Sequence, residues 1–253
     1  MAKQLIEDEK KDKLVKHQPA GTLAVPAYMQ DDLKANQGSE DVGQDDLVMP
    51  RLGQAQALSD QLKKTNEAYI PGLQVGDFFN TATSEVYGRE VNVVPVKYFK
   101  QYIEFTPREE GGGIVARYDS VGEVPPEDLK FGPNGEKPKC TEFKNRLCLL
   151  VKENGTEPIV VSCKSSNLKT MKFWNNKILQ TGVAAIKQLW KLEAITRSGN
   201  NNEWEGFRPV LAGPTPEAVY PRAKEFLASL EGKTVTMDAT GLAEEQKAEP
   251  TPF

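Results

Sequence analysis

Two apolar runs joined by an Asn-Gly turn are the feature that most restricts how this chain can fold. The runs occupy residues 146–152 and 158–164, and the tetrapeptide ENGT lies between them. Asn-Gly between two apolar runs is a strong short-range signal for a β-hairpin. A second turn-forming segment, SGNNN, separates the β-type runs 188–197 and 203–211. The sequence therefore predicts two hairpins in the second half of the chain.

The segment 90–105 predicts a further, long strand. It reads EVNVVPVKYFKQYIEF and is dense in Val, Ile, Tyr and Phe, the residues enriched in strands. Pro95 interrupts it, which indicates an edge, a bulge or a corner. Short β-type runs precede and follow it, and frequent turns between short strands favour a small barrel or sandwich over a parallel α/β sheet.

Two helices are predicted to flank these strands. Leu168, Met171, Trp174 and Ile178 recur at helical spacing, so we expect Trp174 to lie in the core. We expect Ser165 or Ser166 to cap this helix and Gly182 to end it. A second helix is expected over 214–230, capped by Thr215 and containing Pro221, and a short one around 55–65. The predicted fold class is mainly β with flanking helices (α+β).

Composition divides the chain into three parts. Residues 1–47 are rich in Lys, Asp, Gln and Gly, which predicts an extended or disordered arm. Residues 48–234 carry the globular pattern, and residues 235–253 are predicted to form a flexible acidic tail.

Charge is distributed unevenly although the net charge is only -4. Residues 137–197 contain twelve basic and four acidic side chains. Acidic residues are concentrated in 31–46, with six acids and one Lys, and in 238–253, with four acids and one Lys. A basic centre with acidic ends indicates an electrostatic contribution to partner choice.

Several classes of function are disfavoured by residue content. The chain has a single histidine, His17, and three cysteines, Cys140, Cys148 and Cys163, at irregular spacing. A catalytic triad, a His-containing metal site and a disulfide framework are therefore not expected. Phosphate-binding and nucleophile-elbow motifs are missing. We expect no enzyme, no cofactor and no metal, and, without an apolar span or an apolar leader, a cytoplasmic protein.

The strand 96–105 combines aromatic and basic residues in a way that suits single-stranded nucleic acid. In an extended strand Tyr98, Lys100 and Tyr102 point to one side, and Phe99, Ile103 and Phe105 point to the other. Aromatic rings can stack on bases while cations bind phosphates. The alternative is a structural ladder of aromatic pairs on a half-buried face.

Basic residues around the first hairpin and helix could line a groove for a phosphate backbone. From Lys164 to Lys191 there are six lysines and no acidic residue; the alternative is a solvated helix face. Trp190 and Trp204, on opposite arms of the second hairpin, are either a core pair or a stacking platform. The predicted nucleic-acid-binding residues are Tyr98, Lys100, Tyr102, Arg117, Lys144, Arg146, Lys164, Lys169, Lys172, Lys177, Trp190 and Trp204.

The layout of the chain resembles that of bacteriophage single-stranded DNA-binding proteins. The likeness includes MPRL, GDFFN, YGREVNVVPV, PIVVSCKSSNLKTMKFWNNKI, the Trp-containing hairpin and a tail that ends in Pro-Phe. It implies an OB-like small barrel elaborated by two helices, and sequence-independent binding of single-stranded DNA in phage replication or recombination. It also implies that the tail, with Glu244, Glu245, Glu249 and Phe253, recruits replication or recombination proteins.

Two alternatives remain open at this point. One is a virion structural protein, a capsid-stabilising or neck component with a clamping N-terminal arm. The other is a recombination accessory protein that anneals strands with the same binding chemistry. The sequence leaves homo-oligomerisation and the choice between DNA and RNA undecided.

Overall fold

The computed structural model describes residues 49–106, 113–133, 138–199, 202–233 and 235–237. The predicted arm, residues 1–47, and residues 238–253 of the predicted tail lie outside these ranges. Within them the chain forms nine strands and two α-helices, so the prediction of a mainly β fold with two helices is confirmed. The strands are β1 (Leu52–Gln54), β2 (Phe78–Asn80), β3 (Val86–Gly88), β4 (Glu90–Phe105), β5 (Ile114–Tyr118), β6 (Cys140–Lys152), β7 (Gly155–Cys163), β8 (Gln188–Gly199) and β9 (Asn202–Pro214), and the α-helices are α1 (Leu168–Gln180) and α2 (Tyr220–Ser229).

The strands form two antiparallel sheets. A small sheet has the order β1-β2-β3, and a six-stranded sheet has the order β7-β6-β4-β8-β9, with β5 paired to β4. Both predicted hairpins are present as β6–β7 and β8–β9. Lys152 pairs with Gly155, so Glu153 and Asn154 form a two-residue turn. Short loops of this kind join neighbouring antiparallel strands.

Strand β4 is the centre of the large sheet and contains a bulge. Its pairing with β6 shifts between Pro95 and Lys97, which confirms the irregularity expected at the proline. A bulge adds one residue to a strand and reverses the alternation of side chains beyond it. Val94 and Val96 therefore pack in the same core cluster as Ile103 and Phe105. Without the bulge, these even-numbered and odd-numbered residues would face opposite sides of the sheet.

Helices cover both faces of the large sheet. On one face Met171, Trp174 and Ile178 of α1 are buried in a cluster with Cys148 and Trp190. On the other face Ala223 of α2 belongs to the cluster that contains Val94, Leu147 and Leu149. Trp174 has no exposed surface, so its predicted place in the core is confirmed.

The helix ends differ from the prediction. A 3-10 turn, Ser165–Asn167, precedes α1, and Asn167 is the N-cap residue without a capping side-chain hydrogen bond. The predicted cap at Ser165 or Ser166 is therefore wrong. Gly182 follows α1 with a positive φ of 72°, as a helix-ending glycine requires.

Helix α2 is shorter than predicted because its expected cap is used elsewhere. The Thr215 hydroxyl donates a hydrogen bond to the Ile186 carbonyl at 2.8 Å, and the helix begins only at Tyr220. Pro221 consequently lies in the first turn, where its missing N–H leaves no helical hydrogen bond unmade. The short helix expected around 55–65 is a 3-10 turn, Asp60–Leu62.

Candidate functional site

The register between β4 and β6 brings five of the predicted site residues together. Tyr98 pairs with Arg146, Lys100 with Lys144, and Tyr102 with Glu142. Directly opposed residues of an antiparallel pair project from the same face of the sheet. This is the face that α1 covers further along the strands, since Tyr98 packs against the same core cluster as Trp174.

Lys100 and Lys144 are opposed like charges that share one carboxylate. The Lys100 Nζ lies 3.7 Å from Oε1 of Glu142, and the Lys144 Nζ lies 3.8 Å from the same oxygen. The Lys100 side chain is 44% exposed, whereas that of Lys144 is 12% exposed. Like charges directly opposite each other destabilise a sheet, and a single Glu142 leaves the three residues with a net positive charge.

Arg146 is largely buried and does not line an open groove, so its predicted contact with a phosphate backbone stays a prediction. It is 6% exposed because α1 packs over it. The guanidinium carbon lies 5.4 Å from the centroid of the Tyr98 ring and 5.7 Å from that of Trp174. One terminal nitrogen donates a hydrogen bond to Oδ1 of Asn175. Burial lowers the pKa of Arg146 from its usual value.

Two of the four aromatic residues predicted to stack on bases are enclosed in the protein. Tyr102 is 6% exposed and packs with Val124 and Cys140, because the loop after β5 covers this end of the sheet. Trp190 is 2% exposed and contacts Trp174 edge-on, with ring centroids 6.1 Å apart. Burial of both rings favours the structural alternatives stated for these residues over base stacking.

Trp190 and Trp204 are not cross-strand neighbours. Trp190 pairs with Leu211, whereas Trp204 pairs with Arg197 close to the turn. The two arms of the hairpin are long, so residues at different distances from the turn do not meet. Trp204 is partly buried. The expected core pair or joint platform is therefore absent from this hairpin.

The remaining basic residues lie in different places. Lys169, Lys172 and Lys177 are exposed on α1, a helix without acidic residues, and Lys164 is partly buried at the end of β7. Arg117 is exposed on β5 but pairs with Ile103, a residue of the α2-side core. Arg117 therefore projects from the face of the sheet opposite to Lys100 and Lys144.

Phe173 is a surface residue that the sequence interpretation did not select. Its side chain is 47% exposed, and the Lys177 Nζ lies 5.7 Å from the ring centroid. Phe173 lies outside the apolar stripe of α1 that contains Trp174. That offset from the stripe is visible in the sequence and could have indicated an exposed aromatic residue among lysines.

An open groove of about 450 Å³ separates the outer side of α1 from β9. Phe173, Lys177, Gln180 and Thr181 line it from the helix, Pro209, Val210 and Leu211 line it from β9, and Trp190 lines it from β8. Leu211 is 48% exposed. The groove thus combines apolar surface with a lysine, and none of its lining residues carries a carboxylate.

Comparison with known families identifies the group to which the chain belongs. The model of a family described as "Pam3 phage gp34-like protein" matches residues 16–236. The chain is a member of this family. No curated protein and no solved structure matches it.

Membership of the Pam3 phage gp34-like family supports the bacteriophage origin that the resemblance implied. The match includes every predicted nucleic-acid-binding residue from Tyr98 to Trp204, but the family description names no ligand. Single-stranded DNA binding therefore stays a prediction.

Two further properties of this phage protein concern the described part of the chain alone. In those ranges no three His, Cys, Asp or Glu side chains are grouped so that they could hold a metal ion. No helix there is both long and apolar enough to span a membrane.

Proposed function

We propose that this phage protein binds single-stranded DNA without reading its sequence. The observation that carries the proposal is the opposed pair Lys100 and Lys144, which share the single carboxylate of Glu142. Two like charges held face to face cost stability. A phosphate group next to them removes that cost, and phosphate contacts position a strand without carrying sequence information.

Helix α1 extends this basic surface. Lys169, Lys172 and Lys177 are exposed on it, and the helix contains no acidic residue. A series of lysines along one surface can follow a phosphate backbone and release the counterions condensed on it. We call these residues the basic surface. It consists of Lys100 on β4, Lys144 on β6, and Lys169, Lys172 and Lys177 on α1.

Exposed aromatic rings support the preference for single strands. Phe173, on α1, is about half exposed, and Tyr98 is partly exposed beside Lys100. Bases stack on such rings only when they are unpaired, and each stacked base contributes about 1 to 3 kcal/mol. Tyr98 keeps the stacking role predicted for it, and Phe173 takes the role first assigned to Tyr102 and Trp190.

We propose with this function an OB-like arrangement of the large sheet. Its support is β4, which pairs with β6 along most of its length and with β8 and β5 at its two ends. The bulge at Pro95–Lys97 lets such a strand bend between two parts of a sheet, as strands do at the corners of small barrels. A pairing that would close the barrel is not among the described ladders.

We place this activity in phage DNA replication or recombination in the host cytoplasm, without a catalytic step or a cofactor. Glu244, Glu245, Glu249 and Phe253 are proposed to recruit replication or recombination proteins. These residues lie outside the described ranges, so their role rests on the sequence alone.

Charge reversal at Lys100 tests the proposal. We expect Lys100→Glu to weaken binding of a labelled oligo-dT of ~30 nucleotides at least ~10-fold, because a phosphate contact is replaced by repulsion. Fluorescence anisotropy at low salt measures the affinity, with a duplex of the same length for comparison. Lys63→Glu is the matched control, since Lys63 is 52% exposed and outside the basic surface. Equal affinities of the two variants would overturn the proposal.

A virion structural role is the second candidate, and one observation favours it. The chain is fixed by its backbone directly after the predicted arm: the Val160 N–H donates to the Pro50 carbonyl at 2.8 Å. Parallel bridges join Met49 to Met237 and Arg51 to Val160. An anchored base suits an arm that ties a neighbouring subunit. Limited proteolysis distinguishes the candidates, because a clamped arm resists cleavage in assembled particles and a free arm does not.

A further inference from the structure

Arg146 is a buried cation without an acidic partner among the described residues. It is 6% exposed, and none of the ion pairs in this part of the chain includes it. Its polar contact is the Asn175 amide oxygen, which is neutral. Its Nε is buried and has no hydrogen-bond acceptor. Buried charges in proteins are normally paired or hydrogen-bonded throughout, because leaving water is otherwise costly.

The groups around Arg146 leave its positive charge without a compensating anion. The rings of Tyr98 and Trp174 both lie within cation–π distance of the guanidinium, and such contacts do not use the N–H donors at its edge. Lys144 lies two residues away on the same face of β6, opposite Lys100. Glu142, the carboxylate of this face, is already shared by these two lysines. The site therefore holds three cations and one anion.

The missing group is best supplied by a phosphate. A guanidinium edge binds tetrahedral or planar oxyanions through paired hydrogen bonds, and the lysines add charge without fixed geometry. We propose that the guanidinium group of Arg146, which contacts Tyr98 of β4 and Asn175 of α1, is a specific site for one phosphate group. Within the proposed function, on which this inference rests, that phosphate is one unit of the bound strand and fixes its position on the basic surface.

Thermal unfolding in phosphate tests the site directly. In the wild-type protein, potassium phosphate at saturating concentration should raise Tm by at least ~3 °C over potassium chloride of equal ionic strength. Arg146→Met should unfold at an equal or higher temperature than wild type in chloride, since an apolar side chain replaces an unpaired buried charge. Its rise in Tm in phosphate should be smaller than that of the wild type, because only the general stabilisation by a salt excluded from protein surfaces remains.

Asn175→Asp provides a second variant that keeps the shape of the site. The new carboxylate lies beside the guanidinium and supplies the missing anion from within the protein. We expect a higher Tm in chloride and loss of the phosphate-specific rise. An equal phosphate effect in wild type and both variants, or no effect in wild type, would overturn the inference.

Two more ligands distinguish a failure of the phosphate site from a failure of the proposed single-strand binding. Thymidine monophosphate and the oligo-dT are titrated alongside inorganic phosphate. A response to phosphate and the nucleotide that requires Arg146, without binding of oligo-dT, keeps the phosphate site and refutes single-strand binding. Tight oligo-dT binding that is unchanged in Arg146→Met and Asn175→Asp refutes the phosphate site and keeps the proposed function.

Discussion

Cys148 and Cys163 illustrate how burial sets the chemistry of individual side chains. Both thiols lie in the core beneath α1, and burial raises the pKa of each to about 12. A thiol in an unfolded chain has a pKa of about 8.5. The native state therefore retains protons that the unfolded state releases in alkaline solution, and stability falls as pH rises from about 8.5 towards 12.

This difference predicts the pH dependence of stability. Between pH 9 and 11 the free energy of unfolding should decrease by about 1.4 kcal/mol per pH unit for each of these thiols. The double variant Cys148→Ala, Cys163→Ala should show a correspondingly shallower decrease in urea unfolding measured across that range. Parallel pH profiles of wild type and variant would show that the thiols ionise equally in both states.

For single residues, the sequence predicts on which face of a strand a side chain lies better than it predicts whether that side chain is exposed. Alternation along β4 correctly places Lys100 beside Tyr98 on one face, because a strand has a period of two. It does not reveal that Val124 and Leu129, from a distant loop, pack around Tyr102. Nor does it reveal that α1 buries Arg146. Both errors concern contacts between segments far apart in the chain.

Helix α1 has two faces with different roles. Trp174 is enclosed by Trp190, Phe207 and Arg146, whereas its sequence neighbour Phe173 is about half exposed. A turn of 100° per residue is enough to direct adjacent side chains to core and solvent. These two residues therefore form a matched pair for testing stability and binding separately.

We expect Trp174→Ala to lower the free energy of unfolding by about 3 to 5 kcal/mol, because a large buried ring leaves a cavity. Phe173→Ala should change it by less than about 0.5 kcal/mol but weaken oligo-dT binding by about 1 to 3 kcal/mol. Urea unfolding and anisotropy measure the two quantities. Unchanged oligo-dT affinity of Phe173→Ala would remove this residue from the proposed interface.

Element types follow from the sequence more readily than element ends. The Asn-Gly turn and the spacing of Leu168, Met171, Trp174 and Ile178 are local signals, and both elements form where predicted. The start of α2 depends on Thr215, whose hydroxyl bonds to Ile186 from another segment. A local capping pattern cannot predict such a competing partner.

At the scale of the whole chain, basic and acidic residues are concentrated in different segments. Twelve of its 32 basic residues lie in residues 137–197, while the net charge is -4. Part of this basic block lies on one side of the large sheet because β4 pairs with β6 and α1 packs over the same face. The charge asymmetry is visible in the sequence, but the opposed pair Lys100 and Lys144 depends on a strand register that the sequence does not specify.

The salt dependence of oligo-dT binding shows whether the basic surface binds a phosphate backbone. For single strands, log K falls with log [salt] with a slope of about -0.7 for each neutralised phosphate. The wild-type protein should bind tightly at low salt with a steep slope, and the double variant Lys100→Ala, Lys144→Ala should have a slope shallower by about 1.4. Identical slopes, or no binding of oligo-dT at low salt, would contradict the assignment of this basic surface to a phosphate backbone.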